Sequence, residues 1–224
     1  MGIMRVALSG ALALCLVAAL TAQTPDAQTI ANKVQQRYAG IKDFSGDFVQ
    51  SYEGGVLRTK TTEHGTMSIK RPGRMRWVYA KPDRKEFVSD GNRLYTYLVE
   101  DKQVIVSKAP GPSDGTIPAL FLAGQADLGK DFVPSFTELP GAPKELIGVK
   151  LVAKSHDPDY EWLAIGVDPA TMQIRHLIAA DRQGGKSAFS FTNLKENRGL
   201  SDKDFEFHIP RGVDVVTNNS GKSQ

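Results

Sequence analysis

Three regimes of hydrophobic patterning follow one another along the chain. An uncharged apolar run from Val6 to Leu20 comes first, behind a short basic start ending at Arg5 and ahead of the small residues Thr21 and Ala22. A basic start, an apolar core and small residues in that order read as an export signal over residues 1–22, cleaved from the mature chain. The run is also short for a membrane-spanning helix, which needs roughly 20 apolar residues. A helical period comes next. Ala27, Ile30, Ala31, Val34 and Tyr38 fall on one face, which predicts an amphipathic helix with Thr24 as N-cap, Pro25 at its first position and Gly40 just beyond its end.

From Phe44 the period changes to two. Strand-like runs cover Phe44 to Tyr52, Thr66 to Lys70, Met75 to Ala80, Glu86 to Ser89, Leu94 to Val99, Val104 to Ser107, Leu146 to Lys154, Tyr160 to Val167, Gln173 to Asp181, Ser187 to Leu194 and Phe205 to Ile209. Between them lie Glu53-Gly54-Gly55, Arg71-Pro72-Gly73, Asp90-Gly91-Asn92, Asp157-Pro158-Asp159, Asp168-Pro169-Ala170 and Gln183-Gly184-Gly185, which have the chemistry of tight turns. Strands joined by tight turns must be antiparallel, so about eleven of them in this order predict a large meander, curled or closed into a barrel.

One stretch departs from this pattern. Ala109 to Asp114 is rich in Pro and Gly, and Thr116 to Gly124 reads as a short helix that is apolar all round. Such a helix must be buried on most sides, and in a curled sheet the place for it is the mouth or lumen of the curl. The organisation expected is a signal over 1–22, one domain over 23–217 and a polar, disordered tail over 218–224.

Composition adds limits. With 41% hydrophobic and 24% charged residues the chain is an ordinary globular protein, and its formal charge is only +3. Loss of the signal removes Arg5 and no acid, which lowers that charge to +2. Cys15 is the one cysteine and leaves with the signal. Leu14 precedes it where a lipid-modified cysteine normally has a small residue, so a soluble, unanchored and disulfide-free product is expected.

Catalytic patterns are sparse. His64, His156, His176 and His208 have no metal-ligand spacing and read as surface or sheet-edge imidazoles. Gly185-Lys186-Ser187 imitates the end of a phosphate loop, but Ala180 stands where its first glycine is required. No G-x-S-x-G occurs, and the carboxylates are scattered. Neither an enzyme nor a cofactor is expected. The basic cluster Lys70, Arg71, Arg74, Arg76, Lys81, Arg84 and Lys85 superficially suits nucleic acid. Strand alternation, however, turns Arg74 and Arg76 to solvent and Met75, Trp77 and Tyr79 inward, which separates charge from stacking surface and argues against a nucleic-acid partner.

What stands out is the apolar material expected on the inner face: Phe48, Met67, Ile69, Met75, Trp77, Tyr79, Phe87, Tyr95 and Tyr97. About eight strands already suffice to hold a ligand in small carrier barrels. With Ile117, Leu120, Phe121 and Leu122 of the apolar helix at its mouth, the lumen suits a greasy cargo. Keeping the apolar faces together requires a three-residue loop or a bulge at Arg71-Pro72-Gly73, with Ile69 expected opposite Trp77 and Met67 opposite Tyr79.

The block Glu63 to Ser107 contains Gly65, Ile69-Lys70-Arg71-Pro72, Trp77-x-Tyr79, Pro82, Val88-Ser89-Asp90-Gly91, Leu94 and Tyr97. With Phe48-Val49-Gln50 and Phe205-x-Phe207-x-x-Pro210-x-Gly212-Val213, it resembles the periplasmic outer-membrane lipoprotein carrier family LolA over essentially the whole mature chain. The resemblance implies an incomplete antiparallel β-barrel with a helical lid over an apolar cavity, mainly β with helices. It implies a monomeric periplasmic carrier that receives acylated lipoproteins from an inner-membrane lipoprotein-releasing ABC transporter and hands them to an outer-membrane acceptor. It also implies a lid latch at Arg71. Two readings of that residue stand side by side: an exposed arginine at a hairpin corner, or a latch whose guanidinium would reach the carbonyls left unpaired near Leu122 to Gly124. Two other classes stay open: a lipid-sensing regulatory or glycolipid-binding module of the same fold, and an enzyme acting on lipid or cell-wall material.

Overall fold

The computed structural model describes residues 25–54, 59–109, 127–154 and 160–218. Its one α-helix among these, α1 (Ala27–Ala39), is capped by Asp26, whose carboxylate accepts a hydrogen bond from the Thr29 N–H at 2.7 Å. The helix thus starts later than a Thr24 cap implies and Pro25 lies outside it, because a carboxylate both satisfies a free N–H and complements the positive helix start. Ala27, Ile30, Ala31, Val34 and Tyr38 are its buried stripe, as the spacing predicts.

The strands are β1 (Asp43–Glu53), β2 (Lys60–Lys70), β3 (Arg74–Lys81), β4 (Lys85–Asp90), β5 (Arg93–Leu98), β6 (Gln103–Lys108), β7 (Phe132–Phe136), β8 (Ile147–Ala153), β9 (Tyr160–Val167), β10 (Ile174–Asp181), β11 (Lys186–Glu196) and β12 (Asp214–Asn218). Among the described residues they form one twelve-stranded open sheet in the order β12-β6-β5-β4-β3-β2-β1-β11-β10-β9-β8-β7. β7 and β12 are its edges, so the sheet curls without closing into a barrel.

Three departures from the sequence reading have physical causes. β7 contains Pro134, which weakens a strand signal but is tolerated on an edge, where its missing N–H removes no necessary ladder bond. Phe205 to Ile209 is not a strand. A capping box between Ser201 and Asp204 winds Asp202–Phe205 into a 3-10 helix, and the alternation of Phe205 and Phe207 arises because both pack against the sheet. From there the chain crosses to the far edge, and β12 pairs with β6 in parallel, the one parallel pairing among the described strands. β12 ends at Asn218, the first residue of the expected tail.

The core lies on one face of the sheet, where α1 packs. Ile30, Val34 and Tyr38 join Leu128, Phe132, Leu151, Ile165, Ile174 and Leu177 there, continuous with Phe44, Phe48, Met67, Ile69, Met75 and Trp77. Tyr38 reaches across, its hydroxyl accepting from the Ile174 N–H at 3.1 Å, and burial pushes that phenol up to about 12. Arg37 ties the helix end to β11 through Glu196 at 2.6 Å. The opposite, outer face is covered in part by the C-terminal segment: Arg76 donates to the carbonyls of Asp204 and Glu206, both at 2.7 Å, and Lys70 to that of Leu200 at 2.8 Å.

Candidate functional site: an aromatic sheet face

The register decides which side chains share the core face. Residues 71–73 form the loop between β2 and β3, and Gly73 takes the left-handed φ of +73° that closes it. Ile69 lies opposite Met75 and Met67 opposite Trp77, one residue pair along from the expected partners. The apolar faces nevertheless coincide, because an odd loop preserves parity. β4 then brings Phe87 opposite Trp77, and β1 brings Phe48 opposite Gly65.

The outcome is a cluster of rings. Phe48 sits 4.9 Å from Trp77 and 4.8 Å from Tyr79 between ring centroids, and Trp77 is 5.6 Å from Phe189 and 6.3 Å from Phe191. Tyr79 meets Phe87 edge-on at 5.7 Å. Such pairs each contribute about 0.5–1.5 kcal/mol beyond area burial. Gly65 makes the cluster possible: a Cβ there would clash with the Val78 carbonyl oxygen and stand 2.6 Å from the Phe48 ring. Phe189 and Phe191 are legible in principle from the alternation Phe189-x-Phe191, but nothing in their neighbourhood resembles a motif.

At the Tyr79 end the face turns polar. The Tyr79 hydroxyl donates to Gln50 Oε1 at 2.6 Å, and Lys85 pairs with Glu63 at 2.7 Å while its ammonium stands 4.5 Å from the centre of the Tyr79 ring. Burial, reinforced by the Glu63 charge, holds the Tyr79 phenol well above its ordinary range, so it stays a neutral donor. The Trp77 indole N–H is different. It is buried and has no hydrogen-bond partner among the described residues, a deficit that costs about 1–3 kcal/mol.

Phe48, Met67, Ile69, Met75, Trp77 and Tyr79 are therefore brought together and buried, and Phe87 packs against them half-buried. Tyr95 and Tyr97 are not. Phe87 faces Thr96 across β4 and β5, so Thr96 shares the core face, and its neighbours Tyr95 and Tyr97 point outward beside Val88 and Glu86. There Tyr95 stacks on Phe207 at 5.2 Å and Tyr97 tilts against the same ring at 6.0 Å. The lid residues Ile117, Leu120, Phe121 and Leu122 lie outside the described residues, as do the signal and residues 219–224.

Arg71 is well placed for an anchor. Its Nη1 donates to the Tyr38 carbonyl at 2.7 Å, at the C-terminal end of α1, with the guanidinium 5.7 Å from the centre of the Tyr38 ring. Arg74 and Arg76 are half-buried under the C-terminal segment instead of facing open solvent: Arg74 pairs with Asp202 at 3.5 Å, and Arg76 pairs with Glu86 besides its two carbonyls. His64 and His208 are not buried, but His176 is, its Nδ1 3.1 Å from Ser190 Oγ. Gly166 on β9 lies against it, where a Cβ would stand 2.7 Å from the His176 Cβ.

Comparison with known proteins falls in line with this geometry. A family model described as outer membrane lipoprotein carrier protein LolA matches residues 39–208. An outer-membrane lipoprotein carrier protein of Cupriavidus taiwanensis is 29% identical over 95% of this chain and 98% of its own length. The protein of the same description from Neisseria meningitidis serogroup B is 31% identical over 90% of this chain and 94% of its own. Among solved structures, an uncharacterized conserved protein from Thermus thermophilus shares the fold at a TM-score of 0.51 and 14% identity, covering 86% of this chain and 99% of that one.

Proposed function

The chain belongs to the outer membrane lipoprotein carrier family LolA, and on that premise we propose that it is a soluble periplasmic carrier that shelters the acyl chains of lipoproteins on the face built around Phe48, Trp77 and Phe189. The observation that supports this most directly is the continuous aromatic and aliphatic surface of an open sheet, beside which no described side chain is arranged for catalysis. Membranes offer the acyl chains an equally apolar environment, so the carrier needs a large apolar surface instead of a few strong polar contacts.

In this role the protein acts as a monomer and turns nothing over. It receives cargo from an inner-membrane lipoprotein-releasing ABC transporter and yields it to an outer-membrane acceptor. Its export signal spans residues 1–22 and is removed. Arg71, held at the end of α1, serves as the latch of the carrier, a contact that entering chains replace. No helix among the described residues is long and apolar enough to cross a membrane.

Purification from the periplasm followed by intact-mass spectrometry of the copurifying material tests the reading. Acylated lipoproteins in near-stoichiometric amount are expected. A free glycolipid in their place supports the glycolipid-binding alternative, and an empty protein that fails to bind a fluorescent fatty acid saturably contradicts carriage.

A further inference from the structure

We propose that this apolar face selects lipids bearing neutral ester or amide carbonyls over bare hydrocarbon, with the buried Trp77 indole N–H donating a hydrogen bond to a carbonyl oxygen of the cargo. The proposal rests on the carrier reading and names the chemistry of the ligand within it.

The polar groups around Trp77 have partners: Tyr79 donates to Gln50, Lys85 pairs with Glu63, and the Ser89 hydroxyl donates to the Gly73 carbonyl at 3.0 Å. Among the described residues of this neighbourhood, the indole N–H alone is buried and unpaired. An indole can only donate, so whatever completes it must bring an acceptor. Water is a poor candidate, because a buried water needs two to four polar partners and the rings beside Trp77 belong to Phe48, Phe189 and Phe191. A free carboxylate is disfavoured too, since Lys85, the nearby cation over Tyr79, is already paired with Glu63. An ester or amide carbonyl carries one strong acceptor on an otherwise apolar molecule, which is what the site lacks. The linkage between chain and head then lies at the level of Trp77 and Tyr79, and the acyl chains run along Met67, Met75 and Ile69.

The test compares a short-chain diacyl glycerophosphocholine with its dialkyl ether analogue, which keeps the head and the chains and deletes both carbonyls. Calorimetric titration of the parent protein is expected to favour the ester by about tenfold, the size of one buried hydrogen bond. Trp77→Phe, which retains a ring and loses the donor, is expected to bring the ratio of ester to ether affinity to about one, whatever the smaller ring does to the binding of both. In ¹⁵N-labelled parent protein the Trp77 indole resonance is expected to shift downfield with the ester and not with the ether, a readout that needs no variant to fold. Equal binding of ester and ether by the parent, or an equal loss of both in Trp77→Phe, overturns the proposal and leaves carriage intact. Failure of the parent to bind either lipid overturns the carrier reading itself.

Discussion

Trp77 and Tyr95 point to opposite faces of the same sheet. The ladder from β3 through β4 to β5 places Trp77, Phe87 and Thr96 in one row, and since adjacent side chains on a strand alternate, Tyr95 emerges on the far side against Phe207. The two faces consequently do different things. The one holding Trp77 continues into the helix-covered core, and the other is closed by the C-terminal segment that Arg76 and Lys70 bind down.

Replacement of Tyr95 by Ala is therefore expected to leave acyl-chain affinity within about twofold while lowering stability by about 1–2 kcal/mol, through the lost stacking and packing on Phe207. Paired ligand titration and urea unfolding check this. A fall in affinity larger than the loss of folded protein explains would place Tyr95 at the ligand.

Gly65 is the position where the aromatic face tolerates least. A methyl group there meets the Val78 carbonyl and the Phe48 ring well inside contact distance, and neither backbone nor a buried ring can yield freely. Gly65→Ala is expected to cost about 1–3 kcal/mol in urea unfolding despite the better strand propensity of alanine. An unchanged or raised midpoint would contradict the packing described.

Arg71→Ala is expected to destabilise the protein by about 1.5–3 kcal/mol, because it removes a charge-assisted bond to the Tyr38 carbonyl as well as the cation–π contact with that ring. Arg71→Lys retains the charge but not the planar fork and should fall between the two. Hydrogen exchange of the last turn of α1 reads this locally, and unaltered protection in the alanine variant would refute the anchor.

His176 gives stability a pH dependence. Burial holds its pKa below the ordinary 6.5, so the unfolded chain binds a proton before the folded one does. Stability is then highest above the ordinary imidazole pKa and falls as the pH drops below it. Between about pH 7.5 and 5.5 the parent should lose more stability than His176→Asn, which keeps a side-chain partner for Ser190 without a titrating group. Parallel pH profiles in the two proteins would show that His176 is not responsible.

The legible parts of the fold are those where a single face is apolar. The helix stripe of Ala27, Ile30, Ala31, Val34 and Tyr38 and the alternation Met75-x-Trp77-x-Tyr79 identify their buried sides because only one side is buried. Tyr95 and Tyr97 mislead for the converse reason: both faces of β5 are covered, one by the core and the other by Phe207, so the larger residues do not mark the core side. The first half of β2 is hidden by its polarity, Lys60 to Thr66 presenting no apolar rhythm, and it stays a strand because β1 and β3 supply its ladders. No pattern in the sequence could show that the Trp77 N–H lacks a partner, since that depends on rings contributed by β1 and β11.

The placement of the acyl chain is the central claim, and photo-crosslinking tests it most directly. A fatty acid with a diazirine near the middle of its chain, bound to the purified protein, irradiated and mapped by peptide mass spectrometry, is expected to label Phe48, Met67, Met75, Trp77 or Phe87 on the core face. The outer face offers a rival in the groove of about 520 Å³ lined by Tyr95, Val106, Phe207, Ile209 and Val215. Label concentrated on those residues, with none on Met67, Met75 or Trp77, would contradict the account.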